Sequence, residues 1–221
     1  MAEYKATVSR TESVLATNKV LRNTYALLGM SLLVSAIAAL ISMSIGIGRG
    51  ASLVMMISGI LIAMFVLPRT ANSAAGIPVM FLFTALLGMS IGPMLTFYLS
   101  LPAGPSIVAQ ALVGTAAIFF SLSFIALTTK KDFSFLGGFL MVGFMVVLLA
   151  ILANLFFNIP GVHLAISAAV VLLMSLWILF DTSRIVNGGE TNYIMAAAGM
   201  FINIFNLFVH LLHLVGALSR D

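Results

Sequence analysis

Cysteine is absent from all 221 residues. That excludes disulfides, thiol nucleophiles, thiolate zinc sites and iron–sulfur clusters, and it leaves the redox compartment undetermined. Charge is scarce too: 7% of residues are Asp, Glu, Lys or Arg, against about 25% in ordinary soluble domains. The net charge of +4 and a pI near 9.8 do not point to nucleic acid, because so few basic residues, spread among loops, form no continuous patch for a phosphate backbone. No HExxH occurs, and His163, His210 and His213 lack the carboxylate partners of a hydrolytic zinc site. Gly46-Ile-Gly-Arg-Gly50 follows no strand and is no nucleotide loop, and Gly50-Ala51-Ser52 has no base beside it. An intramembrane aspartyl protease needs two carboxylates sharing a proton, and only Asp181 lies deep in an apolar run. The chain therefore reads as a non-enzyme without a cofactor.

What the chain has is hydrophobicity: 62% apolar residues and a mean hydropathy of +1.21. Seven apolar segments of about 20 residues, the length that crosses a hydrocarbon core, predict an all-α integral membrane protein. They fall at 24–47, 51–67, 77–100, 106–127, 133–157, 162–185 and 193–218, the second being short. Short connections between them carry breakers at Gly46, Gly48, Gly50, Pro68, Pro102, Pro105, Pro160, Gly161, Gly188 and Gly189. Residues 1–23 are polar and mixed in charge and read as an uncleaved cytosolic tail; Val14, Leu15, Val20 and Leu21 allow a short interfacial helix within it. Residues 24–221 then form one transmembrane domain. An odd number of crossings puts the ends on opposite sides, and the positive-inside rule chooses which. With the tail inside, Lys5, Arg10, Lys19, Arg22, Arg69, Lys130, Lys131 and Arg184 lie inside, and Arg49 and Arg220 outside. The expected orientation is therefore N-terminus cytoplasmic and C-terminus periplasmic.

Candidate functional residues follow from cost. An acid at the centre of a membrane helix costs about 2.5–3.5 kcal/mol on insertion scales, less near an end, so Asp181 needs a partner. Arg184, three residues on, and Arg69, at the inner end of the second span, are the candidates. Two readings stand. One is a structural ion pair. The other is a pH latch, in which desolvation favours the neutral acid and a nearby arginine the anion. On the last span Gly199, Asn203, Asn206, His210 and His213 recur at spacings of four and three and share one helix face. That stripe is either interhelical hydrogen bonding or a path for protons or cations. Gly88 and Gly92 with Pro93 predict close helix contact or a kink, the alternative being an ion-gating hinge, and Gln110 and Asn154 read as interhelical glue or cavity lining.

Several of these blocks look familiar. Lys130-Lys-Asp-Phe-Ser-Phe-Leu-Gly-Gly-Phe139, Leu179-Phe-Asp-Thr182 and Phe201-Ile-Asn-Ile-Phe-Asn-Leu-Phe208 resemble the signatures of the Bax-inhibitor (transmembrane Bax inhibitor motif) family. The stretches Thr17-Asn-Lys-Val-Leu-Arg-Asn-Thr-Tyr25 and Asn187-Gly-Gly-Glu-Thr-Asn-Tyr193 resemble its bacterial branch. The resemblance implies a seven-helix bundle in a bacterial inner membrane and two functions. In one, the protein binds and restrains the FtsH membrane protease as inhibitor or slow substrate: its tail, with Lys5, Arg10, Lys19 and Arg22, is gripped while the bundle resists extraction. In the other it is a pH-sensitive calcium leak, governed in the family by two aspartates on the sixth and seventh spans and an arginine from the second. Asp181 matches the first aspartate and Arg69 the arginine. Asn203 stands where the second aspartate would be, and an amide can neither share a proton nor add a negative charge. The implied partners are thus FtsH, the lipid bilayer, and calcium or protons at Asp181.

Overall fold

The fold is taken from a computed structural model, which describes residues 2–157, 159 and 161–219, with side chains from Thr17 onward except that of Leu155. The side chains of Lys5 and Arg10, and the whole of Arg220, lie outside the described residues. In a medium without water every backbone N–H and C=O must be satisfied within the chain, so long apolar runs become helices. Among the described residues, seven helices are long and apolar enough to cross a membrane. They are α1 (Ala2–Ser44, spanning from Thr17), α2 (Arg49–Thr70), α3 (Gly76–Leu99), α4 (Gly104–Thr129), α5 (Leu136–Phe157), α6 (Val162–Val186) and α7 (Tyr193–Leu218).

The segment expected as a polar tail is helical from Ala2 and enters the first span without a break. The second span is not short. The helix passes through Pro68 to Thr70, because the turn before it, Ile62–Val66, is a π-helix. A proline ring clashes with the carbonyl four residues back in a regular α-helix, and the wider turn relieves that clash. The third span breaks between Ser90 and Gly92, ahead of Pro93, giving the kink that the sequence predicts.

Helix α7 is central and packs against α1, α3, α4 and α6, and α1 in turn packs against α3, α6 and α7. The core at one end joins Leu27, Met80, Phe83, Ile178, Phe201 and Leu207, with Phe83 and Phe201 edge to face at 5.4 Å. A smaller cluster at the other end gathers Leu95, Tyr98, Ile107, Phe208 and Leu212. Lipid supplies no hydrophobic driving force between helices, so close approach and hydrogen bonds hold the bundle. The α1–α3 crossing uses both. A Cβ at Gly88 would lie 2.1 Å from the Ser35 carbonyl oxygen, and one at Gly92 2.0 Å from Ser42 Oγ. Carbonyls freed at the kink are taken by hydroxyls: Ser42 Oγ donates to Met89 O at 2.7 Å and Ser52 Oγ to Ser90 O at 2.6 Å. Helices α2 and α5 each have their substantial packing against a single neighbour, α2 against α3 and α5 against α6, the latter the lesser of the two contacts.

Candidate functional site

The loops at the end of the bundle carrying Lys130, Lys131 and Arg184 are tied down by side chains. Ser183, fully buried near the end of α6, donates through Oγ to Lys131 O and accepts from Phe133 N, both at 3.0 Å. Asn187 Nδ2 adds bonds to Lys131 O and Ser183 O. The Lys130–Phe139 block thus connects α4 to α5 along the end of α6. Asp132, in this loop, accepts from Ser134 N at 2.8 Å. Hydrogen bonds from the Ser134 side chain and then its backbone hold the Asp132 carboxyl below the usual carboxylate range. After α6, Gly188 takes φ +75°, the left-handed conformation that ends helices, and turns the chain back. Asn192 then caps α7: its Oδ1 accepts from Ile194 N at 2.9 Å and Met195 N at 3.1 Å. Its Nδ2 donates to Asn72 Oδ1 at 2.7 Å, joining this loop to the one between α2 and α3.

This folding-back decides the partners of the charged residues. Arg184 pairs with Glu190 at 3.6 Å and lies over the Phe180 ring at 5.6 Å. It makes no ion pair with Asp181, contrary to the expectation from their three-residue spacing. Arg69 does not reach Asp181 either; it is exposed and donates to the carbonyl of Phe65 in the π turn. Asp181 instead accepts a hydrogen bond from Asn203 Nδ2 to its Oδ2 at 2.8 Å. Lys19 and Arg22 are exposed on α1.

Asp181 lines a cleft of about 540 Å³ between α5, α6 and α7. Arg184 and Glu190 lie at one end, Asn203 and Asn206 along α7, and His210 at the far end, with Phe144 and Trp177 among the apolar walls. Four members of the α7 stripe, Gly199, Asn203, Asn206 and His210, therefore face one space. A second cavity of about 410 Å³ shares His210 and continues past His213, His163 and Asn154. The amides and histidines are largely engaged. Asn206 Nδ2 donates to Ile202 O at 2.9 Å, His210 Nδ1 lies 3.2 Å from Ser167 Oγ, and the His210 and His213 rings meet at 5.8 Å. Asn154 reaches His163 across the α5–α6 connection, as interhelical glue would, and its Oδ1 accepts from Ile159 N. Gln110 is exposed and donates to Ser106 within its own helix, so it neither glues helices nor lines a cavity. Sequence reasoning missed Glu190, Trp177 and Ser167. Glu190 had a signal, being an acid just past a Gly-Gly turn that follows a basic helix end; the other two had none.

A seven-helix membrane bundle with a carboxylate held by an amide in an amphipathic cleft is the class that fold and site define. The family described as Inhibitor of apoptosis-promoting Bax1 matches residues 17–220, and the chain belongs to it. A protein of Vibrio cholerae named Uncharacterized membrane protein is 49% identical over 213 residues, 96% of each chain. The Escherichia coli K12 protein named Modulator of FtsH protease YccA is 47% identical over 209 residues, covering 95% of this chain and 94% of its own. A protein of another Escherichia coli strain, named Inner membrane protein YccA, matches to the same extent. The chain is accordingly a multi-pass inner-membrane protein of the Bax-inhibitor family, similar to YccA.

Proposed function

We propose that this protein modulates an FtsH-type membrane protease by binding to it, as inhibitor or slow substrate, and catalyses nothing itself. The observation that carries this reading is the 47% identity, over nearly the whole of both chains, to a protein named as a modulator of that protease. The structure supports it in kind. A helical N-terminal segment with Lys19 and Arg22 exposed leads into a helix packed at backbone contact against α3. A protease that pulls on this segment meets a bundle that resists extraction. Residues 1–23 form the engaging segment in the cytoplasm, the side favoured by the positive-inside bias.

The test is crosslinking to FtsH in membranes. Deleting residues 1–23 is expected to abolish association. Because the span begins at Thr17, the full-length double variant Lys19→Glu/Arg22→Glu accompanies it and is expected to weaken association with the bundle intact. Undiminished crosslinking in both overturns the tail as the engaged element.

A pH-gated calcium leak draws on the cleft around Asp181 alone. Asn203 turns its N–H toward that carboxylate, so the position where a second acid would stand supplies a donor and no charge. Calcium takes about six to eight oxygen ligands, and among the described residues no three His, Asp or Glu side chains converge on a metal position. Calcium flux into dye-loaded liposomes across a pH series, lost in Asp181→Asn, would restore the leak as the main activity.

A further inference from the structure

We propose that the cleft between α5, α6 and α7 binds a single-chain alkylammonium, with its ammonium on Asp181 and its apolar chain along α5. The proposal is independent of the protease reading. Three observations carry it. First, the cleft carries charge at one end and an apolar wall along α5, facing the polar stripe of α7. Asp181 lies five residues before the end of α6, about 7.5 Å at 1.5 Å per residue, while Phe144, Val147, Leu148 and Ile151 of α5 line the apolar part. Second, the charge at the polar end is unbalanced. Arg184 is already paired with Glu190. Asp181 has its one hydrogen bond, among the described residues, on Oδ2. A carboxylate facing an apolar space is costly until a cation joins it, and an ammonium brings both the charge and the N–H donors. Third, α5 packs substantially on α6 alone, so the wall opposite α7 is the loosest in the bundle and gives an amphiphile lateral entry from the bilayer.

Other occupants fit less well. A volume of about 540 Å³ is within the roughly 300–1,000 Å³ range of small-ligand pockets, but a helix with side chains is about 10–12 Å across. An anionic amphiphile would set its charge against Asp181 or have to break the Arg184–Glu190 pair. A neutral one leaves the carboxylate uncompensated. Trp177, on the cleft wall one turn from Asp181, adds an aromatic face that favours a cation.

Trp177 is also the only tryptophan in the chain, which supplies the readout. The full-length protein in phosphatidylcholine nanodiscs is titrated with an alkylamine brominated on its chain and with the brominated alkanol of equal length, following quenching of Trp177. The expected result is saturable quenching by the amine with a midpoint at least tenfold below that of the alkanol. Asp181→Asn should erase that preference, and Val147→Phe, which narrows the chain region and spares the carboxylate, should weaken amine binding tenfold or more. Equal midpoints for amine and alkanol, a preference that survives Asp181→Asn, or a midpoint unmoved by Val147→Phe each overturn the proposal. Discs containing phosphatidylethanolamine separate the two sources of ammonium. An unchanged midpoint assigns the free amine, whereas loss of quenching assigns the site to the lipid's own headgroup and overturns the single-chain occupant.

Discussion

Replacing Gly88 by alanine tests whether α1 and α3 are locked at backbone contact. The added Cβ would sit 2.1 Å from Ser35 O and 2.7 Å from Ser35 Cα, and the atoms it meets are backbone, so no side chain can turn aside. Relieving the clash to an ordinary contact of 3.4 Å requires the helices to part by about 1.3 Å locally, the difference between that distance and the 2.1 Å approach. Overpacking of this kind costs about 1–3 kcal/mol. Parting the helices also stretches the Ser42–Met89 hydrogen bond of 2.7 Å next to the clash, a further loss of about 0.5–1.5 kcal/mol. The expected destabilisation is therefore about 1.5–4.5 kcal/mol, the sum of those two ranges. Equilibrium unfolding in mixed micelles, followed by Trp177 fluorescence and by circular dichroism, measures it. A change below about 0.5 kcal/mol, the usual size for a neutral surface substitution, would refute the locked crossing and with it the physical basis for resistance to extraction.

Two further outcomes concern the loops at the basic end. Asn192→Ala removes the α7 cap and the link to Asn72; it should lower stability by about 1–2 kcal/mol, and hydrogen exchange should quicken at Ile194 and Met195 before it does in mid-helix. Asp132 titrates below the ordinary carboxylate value because Ser134 bonds its charged form. A depressed acid contributes stability above its unfolded pKa and loses it as pH falls through the folded pKa, so the loop should loosen only in acid. NMR titration should show the Asp132 value rising toward normal in Ser134→Ala, and an unmoved value would remove Ser134 as the cause.

The spans and the α7 stripe were legible in the sequence because apolar length and helical spacing are local properties. The kink at Gly92-Pro93 and the tight Gly88 contact were legible for the same reason. The partners of Asp181 were not. A π turn inserts one extra residue, which rotates Arg69 by about 100° relative to an unbroken α-helix, and composition does not announce it. Arg184 was misassigned because helical spacing ignores a loop that folds back at Gly188 and delivers Glu190 to it. Asn203 was noted as a departure from an acid, yet only the packing of α6 on α7 shows it donating to Asp181.

The order of helices along the chain has a mechanical consequence. The two terminal helices are well packed, α1 against α3, α6 and α7 and α7 against α1, α3, α4 and α6, while the loosely held α5 lies in the interior of the sequence. A load applied at either end must first part extensive contacts, α1 from α3 or α7 from α6, before it reaches α5. A chain threaded the other way, with α5 at a terminus, would peel one helix at a time under far smaller forces. Here the connectivity requires extraction to begin with well-packed helices.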